Sequence, residues 1–288
     1  MNTNGRVIVW FSCGAASASA AKFAVEKYSD VHVVYCNTFP SEHPDNLRFF
    51  NDIEKWINKK IEIITSKKYA TIEDSFEPRG VGNPGYMSGV AGARCTREMK
   101  KIPREDYQLP NDLHIFGLTA DEEKRIARFE KSNPDLEVEW ILRDNRITKE
   151  LCFSMLHEAG IKLPAMYSLG FEHNNCIGCV KSSSPKYWDK VRKLFPAIFK
   201  NRCEQSRRIG CRLLVYHGER IFLDQLPELN TDQTPEQDIE CGVFCVNEVQ
   251  KLHYGRPFKA LLKIEIPVEV RLQILKEVRH CHLNLYNV

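Results

Sequence analysis

A strand, a loop of small residues and a helix follow one another directly near the start of the chain. The apolar residues 7–11 end at Ser12, and Cys13, Gly14 and Ala15 lead into an alanine-rich helix predicted over residues 18–27. Small side chains let backbone N–H groups approach a ligand, and the positive end of the helix dipole faces the same point. The pattern predicts a phosphate or sulfate site, with an empty turn as the alternative.

Strands and helices alternate along the first half of the chain. Apolar runs over residues 31–35, 61–65 and 113–118 predict further strands, and helical periodicity covers residues 45–58. This order implies a Rossmann-like α/β fold, in which a parallel sheet with right-handed crossovers carries helices on both faces. The glycine-rich stretch over residues 75–92 predicts a long loop, and loops of this length favour a lid or binding role.

Further elements are predicted downstream. They are a charged helix over residues 121–131, a helix capped by Thr148, a helical stretch over 181–208 broken at Pro196, a strand over 258–266 and a helix over 267–279. The loop-like stretch after residue 225 divides the chain into two parts. Residues 1–225 form the predicted nucleotide-binding domain with a cysteine-rich α-helical region, and residues 226–288 form a small C-terminal α+β extension.

Composition predicts a soluble, cytoplasmic protein. The chain contains 43% hydrophobic residues and has a net charge of only +3, which does not by itself indicate a nucleic-acid-binding protein. No apolar run approaches the roughly 20 residues needed to cross a bilayer, and no secretory leader is recognised, so we expect no membrane partner. In a reducing compartment, the 11 cysteines are expected to be buried hydrophobes, metal ligands or redox nucleophiles.

The cysteine pattern points to a metal centre. Two thiolates spaced as Cys176-Ile-Gly-Cys179 can face one metal or one iron–sulfur cluster, although such a pair can also be a redox dithiol. Cys95 and the pair Cys241 and Cys245 add enough sulfur for four ligands. The remaining cysteines in apolar or helical surroundings are interpreted mainly as packing residues; they are Cys36, Cys152, Cys203, Cys211 and Cys281.

Positive charge is concentrated in one stretch. Residues 181–208 contain nine Lys or Arg against two Asp or Glu. Such an excess is compatible with a solvated helix face, and equally with an edge that contacts a polyanion or a nucleotide.

Four segments occur in the order in which one enzyme family carries them. Residues 12–17 resemble the phosphate-gripping PP-loop, usually written S-G-G-x-D-S. The other segments are Asn37-Thr38 with residues 42–49, Gly117-Leu118 with Glu122, Arg125 and Arg128, and Gly160, Pro164, Tyr167 and Gly170 ahead of Cys176. Over residues 5–200 the chain thus resembles the phosphoadenosine phosphosulfate (PAPS) reductase family. That family belongs to the adenine-nucleotide α-hydrolase-like superfamily, with N-type ATP pyrophosphatases and sulfur-inserting enzymes.

The resemblance implies that ATP, APS or PAPS binds at the C-terminal edge of the sheet. Together with the anion loop and the basic residues, it implies nucleotide contacts from Ser12, Cys13, Gly14, Ala15, Ser17, Asn37, Thr38, Arg94, Arg97, Gly117, Arg125, Arg128 and Lys181. It also implies a 4Fe–4S cluster, or alternatively zinc, held by Cys95, Cys176, Cys179 and Cys245, with Cys241 as an alternative fourth ligand. Glu240-Cys241-Gly242 resembles the catalytic Glu-Cys-Gly of the reductases, so Cys241 is also a candidate nucleophile.

The PP-loop departs from the family pattern at two positions. Ala16 replaces an aspartate that ATP-splitting members use near magnesium, and Cys13 replaces a glycine. Loss of the carboxylate weakens the prediction of magnesium-assisted ATP cleavage, because a metal must neutralise the phosphate charge that develops. The loss of this carboxylate affects a PAPS-type reaction less than it affects ATP cleavage.

Three functional hypotheses follow. The first is a nucleotide-dependent enzyme of sulfonucleotide reduction or sulfur transfer, with a sulfur or electron donor protein as a partner. The second is a thiolation enzyme that acts on nucleic acid through residues 181–208. The third is a zinc-stabilised nucleotide-binding protein without catalysis. A homodimer is compatible with each of them.

Overall fold

The computed structural model of the protein describes residues 5–80, 84–89 and 92–229. The strands are β1 (Val7–Phe11), β2 (Val31–Cys36), β3 (Ile61–Ile64), β4 (Ser88–Gly89), β5 (Gly92–Ala93), β6 (Leu113–Phe116), β7 (Glu137–Glu139), β8 (Leu214–Tyr216) and β9 (Glu219–Ile221). Five of them form one parallel sheet in the order β3-β2-β1-β6-β7. The predicted parallel sheet is therefore confirmed.

The described residues contain eleven α-helices. They are α1 (Ala15–Lys27), α2 (Asp45–Ile57), α3 (Ile72–Phe76), α4 (Arg94–Thr96), α5 (Ile102–Tyr107), α6 (Glu123–Ser132), α7 (Ile141–Asp144), α8 (Lys149–Glu158), α9 (Ala165–Ser168), α10 (Pro185–Leu194) and α11 (Pro196–Ile209). A π-helical segment, Arg97–Lys101, joins α4 to α5, and 3-10 turns cover Phe39–Ser41 and Leu223–Gln225.

The sheet has a reversal point beside its first strand. The chain builds β1, β2 and β3 outward to one side, and then returns to place β6 and β7 on the other side of β1. In open parallel sheets, ligands bind outside the carboxyl ends of the strands at such a reversal. The loops that follow β1 and β6 therefore occupy the position where a ligand is expected.

Helices cover both faces of this sheet. On one face, α1, α2, α7 and α8 pack on Val9, Phe11, Val33 and Ile115, all of which are fully or almost fully buried. On the other face, Trp10 lies among side chains that include Tyr107 of α5 and Phe116 of β6. Apolar residues on both sides of each central strand explain why the strands are continuous hydrophobic runs rather than alternating ones.

A second hydrophobic core lies beside the sheet. It joins the glycine-rich stretch to the region around the Cys176–Cys179 pair through buried residues that include Phe76, Met87, Trp188 and Leu214. The antiparallel pair β8 and β9 follows α11, and α10 contacts β8. The glycine-rich stretch is thus packed against the segment that carries the cysteine pair.

Most predicted boundaries agree with the structure to within a few residues. Thr148 caps α8 by accepting a hydrogen bond from the Leu151 N–H at 3.4 Å, and Pro196 separates α10 from α11. The predicted start of α1 was wrong, because the helix begins at Ala15 directly after the loop. The strand β7 is an addition that the hydrophobic pattern does not predict, since it is a short edge strand with two glutamates.

The described part of the glycine-rich stretch contains secondary structure, whereas the sequence predicts a long loop over residues 75–92. It begins inside α3 and contains the short antiparallel pair β4 and β5. The predicted elements over residues 258–266 and 267–279 lie outside the described residues, as do Cys241, Cys245 and Cys281.

Candidate functional site

The loop after β1 is held in shape by its own hydroxyl groups. The Ser12 N–H and the Ser12 hydroxyl donate to Ser17 Oγ at 3.1 and 3.2 Å, and the Ser17 hydroxyl donates to the Gly14 carbonyl at 2.9 Å. Ser17 is buried, whereas Ser12 is exposed. The Ser17 hydroxyl thus organises the loop from within, and Ser12 lies on the side open to a ligand.

Cys13 is the residue that turns the loop. Its φ of 54° lies in the left-handed region, while Gly14, the residue before α1, has an ordinary φ of −102°. The Cys13 thiol is completely buried, and burial raises its pKa far above the usual range for a thiol. Cys13 therefore offers backbone groups to a ligand rather than a reactive thiolate.

The loop after β6 lies against the loop after β1. A Cβ placed on Gly117 would lie 2.5 Å from both Cα and N of Ser17, so the two backbones meet without room for a side chain. The neighbouring Thr119 donates to Glu122 from its N–H at 3.0 Å and from its hydroxyl at 3.1 Å. The sheet's reversal point is consequently a tight junction of two loops.

A buried polar network connects this junction to the end of β2. Thr38 donates to one oxygen of Glu42 at 2.5 Å, and Asn46 donates to the other oxygen at 2.6 Å. Asn174 Nδ2 then donates to Asn46 Oδ1 at 2.9 Å and to the Cys13 carbonyl at 2.6 Å. The Asn174 Oδ1 atom is buried and accepts no hydrogen bond within the described residues.

The two predicted nucleotide contacts at the end of β2 make different hydrogen bonds within the protein. Thr38 is buried, and its hydroxyl is engaged with Glu42 and Tyr35. Asn37 is partly exposed, and its side-chain oxygen accepts from the Phe39 N–H at 3.2 Å. Asn37 therefore keeps its side-chain N–H donors, whereas Thr38 supports the polar network.

Predicted anion-binding arginines divide into buried and exposed groups. Arg94 is buried, donates to the Tyr69 hydroxyl at 3.1 Å and lies 5.4 Å from the centre of the Tyr86 ring, so it supports the glycine-rich stretch. Arg97, Arg125 and Arg128 are exposed. Arg125 pairs with Glu122 at 2.6 Å, and Arg128 donates to the Lys124 carbonyl of its own helix at 3.1 Å.

Sequence patterns missed a basic group beside the junction. Lys149 Nζ donates to the Glu172 carbonyl at 2.6 Å and lies 5.9 Å from the centre of the Tyr167 ring. Burial lowers the pKa of His173 to about 4, and the charges of Lys149 and Arg125 act in the same direction. These three basic side chains therefore share one neighbourhood, although they are far apart in the sequence.

Tyr167 is a further residue that the sequence did not identify as part of the site. Burial raises the pKa of its hydroxyl to about 12, while the backbone N–H groups of Ala15 and Asn174 act to lower it. The hydroxyl thus faces both the first residue of α1 and the segment that precedes the cysteine pair. The only sequence signal was its place in the Gly160 to Gly170 stretch that the resemblance covers.

Three of the predicted metal ligands come together. Burial raises the pKa of Cys176 to about 12, and the charges of Cys179 and Cys95 also raise it. The Cys95 pKa is raised by burial and by Cys179, against the charges of Lys100, Lys181 and Arg202. Cys179 N–H donates to the Tyr187 hydroxyl at 2.7 Å. The three thiols therefore share one electrostatic environment with several cations.

Lys100, which is exposed, interacts electrostatically with the thiols and with Glu42 of the polar network. Desolvation acts to lower its pKa, but the negative charges of Cys176, Glu42, Cys36 and Cys95 outweigh this effect and raise it. A protonated ammonium group at this position partly neutralises the negative charge of nearby thiolates. No spacing rule in the sequence singles out this lysine among its basic neighbours.

Within residues 5–80, 84–89 and 92–229, no group of three or more His, Cys, Asp or Glu side chains is placed to hold a metal ion. The three thiols are related by their electrostatic interactions and not by a completed ligand set.

Much of the basic charge over residues 181–208 is neutralised internally. Five of the nine Lys and Arg side chains form ion pairs; they are Arg192 and Lys193 with Asp189, Arg202 with Glu73, Arg207 with Asp224, and Arg208 with Glu77. Lys190 donates to the Gly170 carbonyl. Lys181, which lies near Cys95, and Lys200 are exposed. The stretch is therefore less available to a polyanion than its composition suggests.

The helices in the described part of the chain are all too short or too polar to cross a membrane. Comparison with known proteins gives no assignment, since no protein-family model matches the sequence and no curated protein matches it. The candidate function is accordingly argued from the site.

Proposed function

We propose that this protein is an adenine-nucleotide-dependent enzyme that reduces a sulfonucleotide or transfers its sulfur. The loop after β1 and the start of α1 would bind the phosphate or sulfate groups through backbone N–H donors at the reversal point of the sheet. Lys149 and Arg125 would complement further negative charge on the same ligand, and the neutral His173 lies in the same neighbourhood. PAPS and APS are the expected substrates, because Ala16 provides no carboxylate for the magnesium that ATP cleavage requires.

One observation carries the proposal. Asn174 stands two residues before Cys176 and donates to the Cys13 carbonyl of the phosphate loop at 2.6 Å. A ligand held by this loop would therefore lie near the segment that bears the thiols. Sulfur chemistry requires this proximity, since the sulfur of a sulfonucleotide is attached to its phosphate.

The metal centre implied by this proposal is a 4Fe–4S cluster, with zinc as the alternative. Cys95, Cys176 and Cys179 influence one another electrostatically and would supply three of its ligands. Lys100, Lys181 and Arg202 would offset the negative charge of thiolate ligands. The fourth ligand in this proposal is Cys245, with Cys241 as the alternative, and both lie outside the described residues. When bound, the cluster would supply redox or electrostatic assistance to sulfur chemistry.

The first test is the metal content of protein purified under anaerobic conditions. We expect a brown protein with broad absorbance near roughly 400 nm, containing iron and acid-labile sulfide. Cys176→Ala should remove the colour, whereas Cys203→Ala should keep it, because Cys203 is a buried packing residue. A colourless zinc protein would contradict the cluster assignment and favour a structural role for the metal.

The second test is titration with APS, PAPS and ATP, followed by analysis of sulfite and thiol products with an added dithiol reductant. We expect APS or PAPS to bind more tightly than ATP and to yield a reduced or transferred sulfur species. A protein that binds none of the three nucleotides would contradict the proposed function, whatever its metal content.

A further inference from the structure

Arg202 is a buried arginine on α11 whose guanidinium is held by hydrogen bonds from its two Nη groups. Its Nη2 donates to Glu73 Oε1 at 2.7 Å, and its Nη1 donates to Gln205 Oε1 at 2.7 Å. Gln205 is itself anchored, since its Nε2 donates to the Glu73 carbonyl at 3.1 Å and to Glu77 Oε1 at 2.6 Å. Because the guanidinium is planar, two fixed Nη groups also fix the direction of its Nε–H.

The Nε–H of this side chain has no partner in the described structure. Arg202 is only 4% exposed, and its Nε is buried without a hydrogen-bond acceptor among the described residues. A Cβ placed on Gly178 would lie 3.7 Å from this Nε. The donor therefore faces the turn between Cys176 and Cys179. Buried charged donors without acceptors are costly, so the position indicates an acceptor that arrives with a bound group.

We propose that Arg202 is a positioning residue whose Nε–H donates a hydrogen bond to an anionic sulfur at the Cys176–Cys179 turn. The acceptor is a sulfide of the bound cluster, so this inference rests on the proposed function. Arginine is suited to this role because its charge persists when buried and its N–H groups are rigidly directed. The hydrogen bond stabilises the more negative state of the sulfur centre, which is the reduced cluster.

A second feature of the structure agrees with this assignment. The charge of Arg202 acts to lower the pKa of Cys95, although burial and Cys179 keep that pKa raised. Arg202 therefore interacts electrostatically with the third thiol as well as facing the turn between the other two. Its ion pair with Glu73 engages Nη2 and leaves Nε available.

The test compares the midpoint potentials of reconstituted wild-type protein, Arg202→Gln, Arg202→Lys and the control Arg207→Gln. Arg207 lies on the same helix and pairs with Asp224 at 2.9 Å. We expect both Arg202 variants to shift to lower potential, because each loses the directed Nε–H. A tenfold weaker preference for the reduced cluster corresponds to about 59 mV for a one-electron couple. An unchanged potential in Arg202→Gln, or a wild-type potential in Arg202→Lys, would overturn the assignment.

A measurement on unmutated protein covers the case in which the variants fail to fold. In protein labelled with ¹⁵N-arginine, the reduced cluster should show hyperfine coupling to one guanidinium nitrogen. Absence of coupling would overturn the inference. A protein that takes up no iron or sulfide would overturn both the cluster assignment and this inference, whereas nucleotide binding tests the proposed function separately.

Discussion

Asn174 Nδ2 donates a hydrogen bond to the carbonyl oxygen of Cys13 at 2.6 Å, across 161 positions of sequence. This contact ties the left-handed residue of the loop after β1 to the segment that leads into the cysteine pair. It also joins the loop to α2 through Asn46, at 2.9 Å. The geometry of the proposed phosphate site and the position of the thiols therefore depend on the same side chain.

Replacing Asn174 by Ala should affect both stability and ligand binding. The change leaves the Cys13 carbonyl and Asn46 without their donor in a buried place, which costs about 1–3 kcal/mol in the free energy of unfolding. Nucleotide affinity should fall together with stability. Urea denaturation and nucleotide titration measure the two effects. Asn175→Ala is the matched control, because Asn175 is exposed. Equal behaviour of the two variants would contradict this role for Asn174.

Ser17→Ala should weaken phosphate binding without unfolding the protein. The Ser17 hydroxyl receives two hydrogen bonds from Ser12 and donates one to Gly14. Its loss leaves the loop less preorganised, and we expect nucleotide affinity to drop about tenfold, corresponding to about 1.4 kcal/mol. Ser19→Ala controls for removing a buried hydroxyl from the same helix. Unchanged affinity in Ser17→Ala would place the nucleotide elsewhere.

Gly117→Ala should separate the two loops that meet at the sheet's reversal point. The added Cβ would lie 2.5 Å from backbone atoms of Ser17, and backbone cannot move aside as a side chain can. We expect a lower melting temperature and loss of nucleotide binding. Gly89→Ala is the control, because a Cβ at Gly89 meets no atom of the described residues within 4 Å. A Gly117→Ala protein with wild-type affinity would show that this junction does not form the site.

Stability should decrease as the pH falls from 6.5 toward 4, in part because of His114. Burial lowers the pKa of His114 to about 4, so the unfolded chain takes up a proton on this histidine before the folded protein does. Protonation would also remove the acceptor for Trp10 Nε1, which donates to His114 Nδ1 at 3.0 Å. The expected loss reaches about 3 kcal/mol at the lower end of this range.

Urea denaturation between pH 7 and 4.5 measures this dependence. His114→Gln should flatten it, because this variant lacks the group whose pKa burial lowers. A His114→Gln protein with the wild-type slope would show that other groups cause the loss.

Binding to nucleic acid should depend only weakly on salt. Five of the nine basic side chains over residues 181–208 are already in ion pairs, so few remain to neutralise phosphates. We expect a plot of log affinity against log salt concentration no steeper than about −3 for duplex DNA. A much steeper slope that Lys181→Ala and Lys200→Ala reduce would revive the hypothesis of nucleic-acid thiolation.

The sequence by itself determined the elements that local pattern controls. The apolar run of β1, the small residues from Cys13 to Ala15 and the Thr148 cap each reflect interactions within a few residues, so the α/β fold and the loop after β1 were predictable. The edge strand β7 was not, because its pairing with β6 depends on a neighbour in space rather than on its own pattern.

Only the tertiary structure decided what each site residue does. Thr38 and Arg94 carry polar groups suited to a ligand, yet packing encloses them and turns their hydrogen bonds inward. Lys149 and His173 lie near Arg125 and Glu122 because separate segments converge at the reversal point of the sheet. Such roles follow from burial and from contacts between distant segments, which residue type and spacing do not encode.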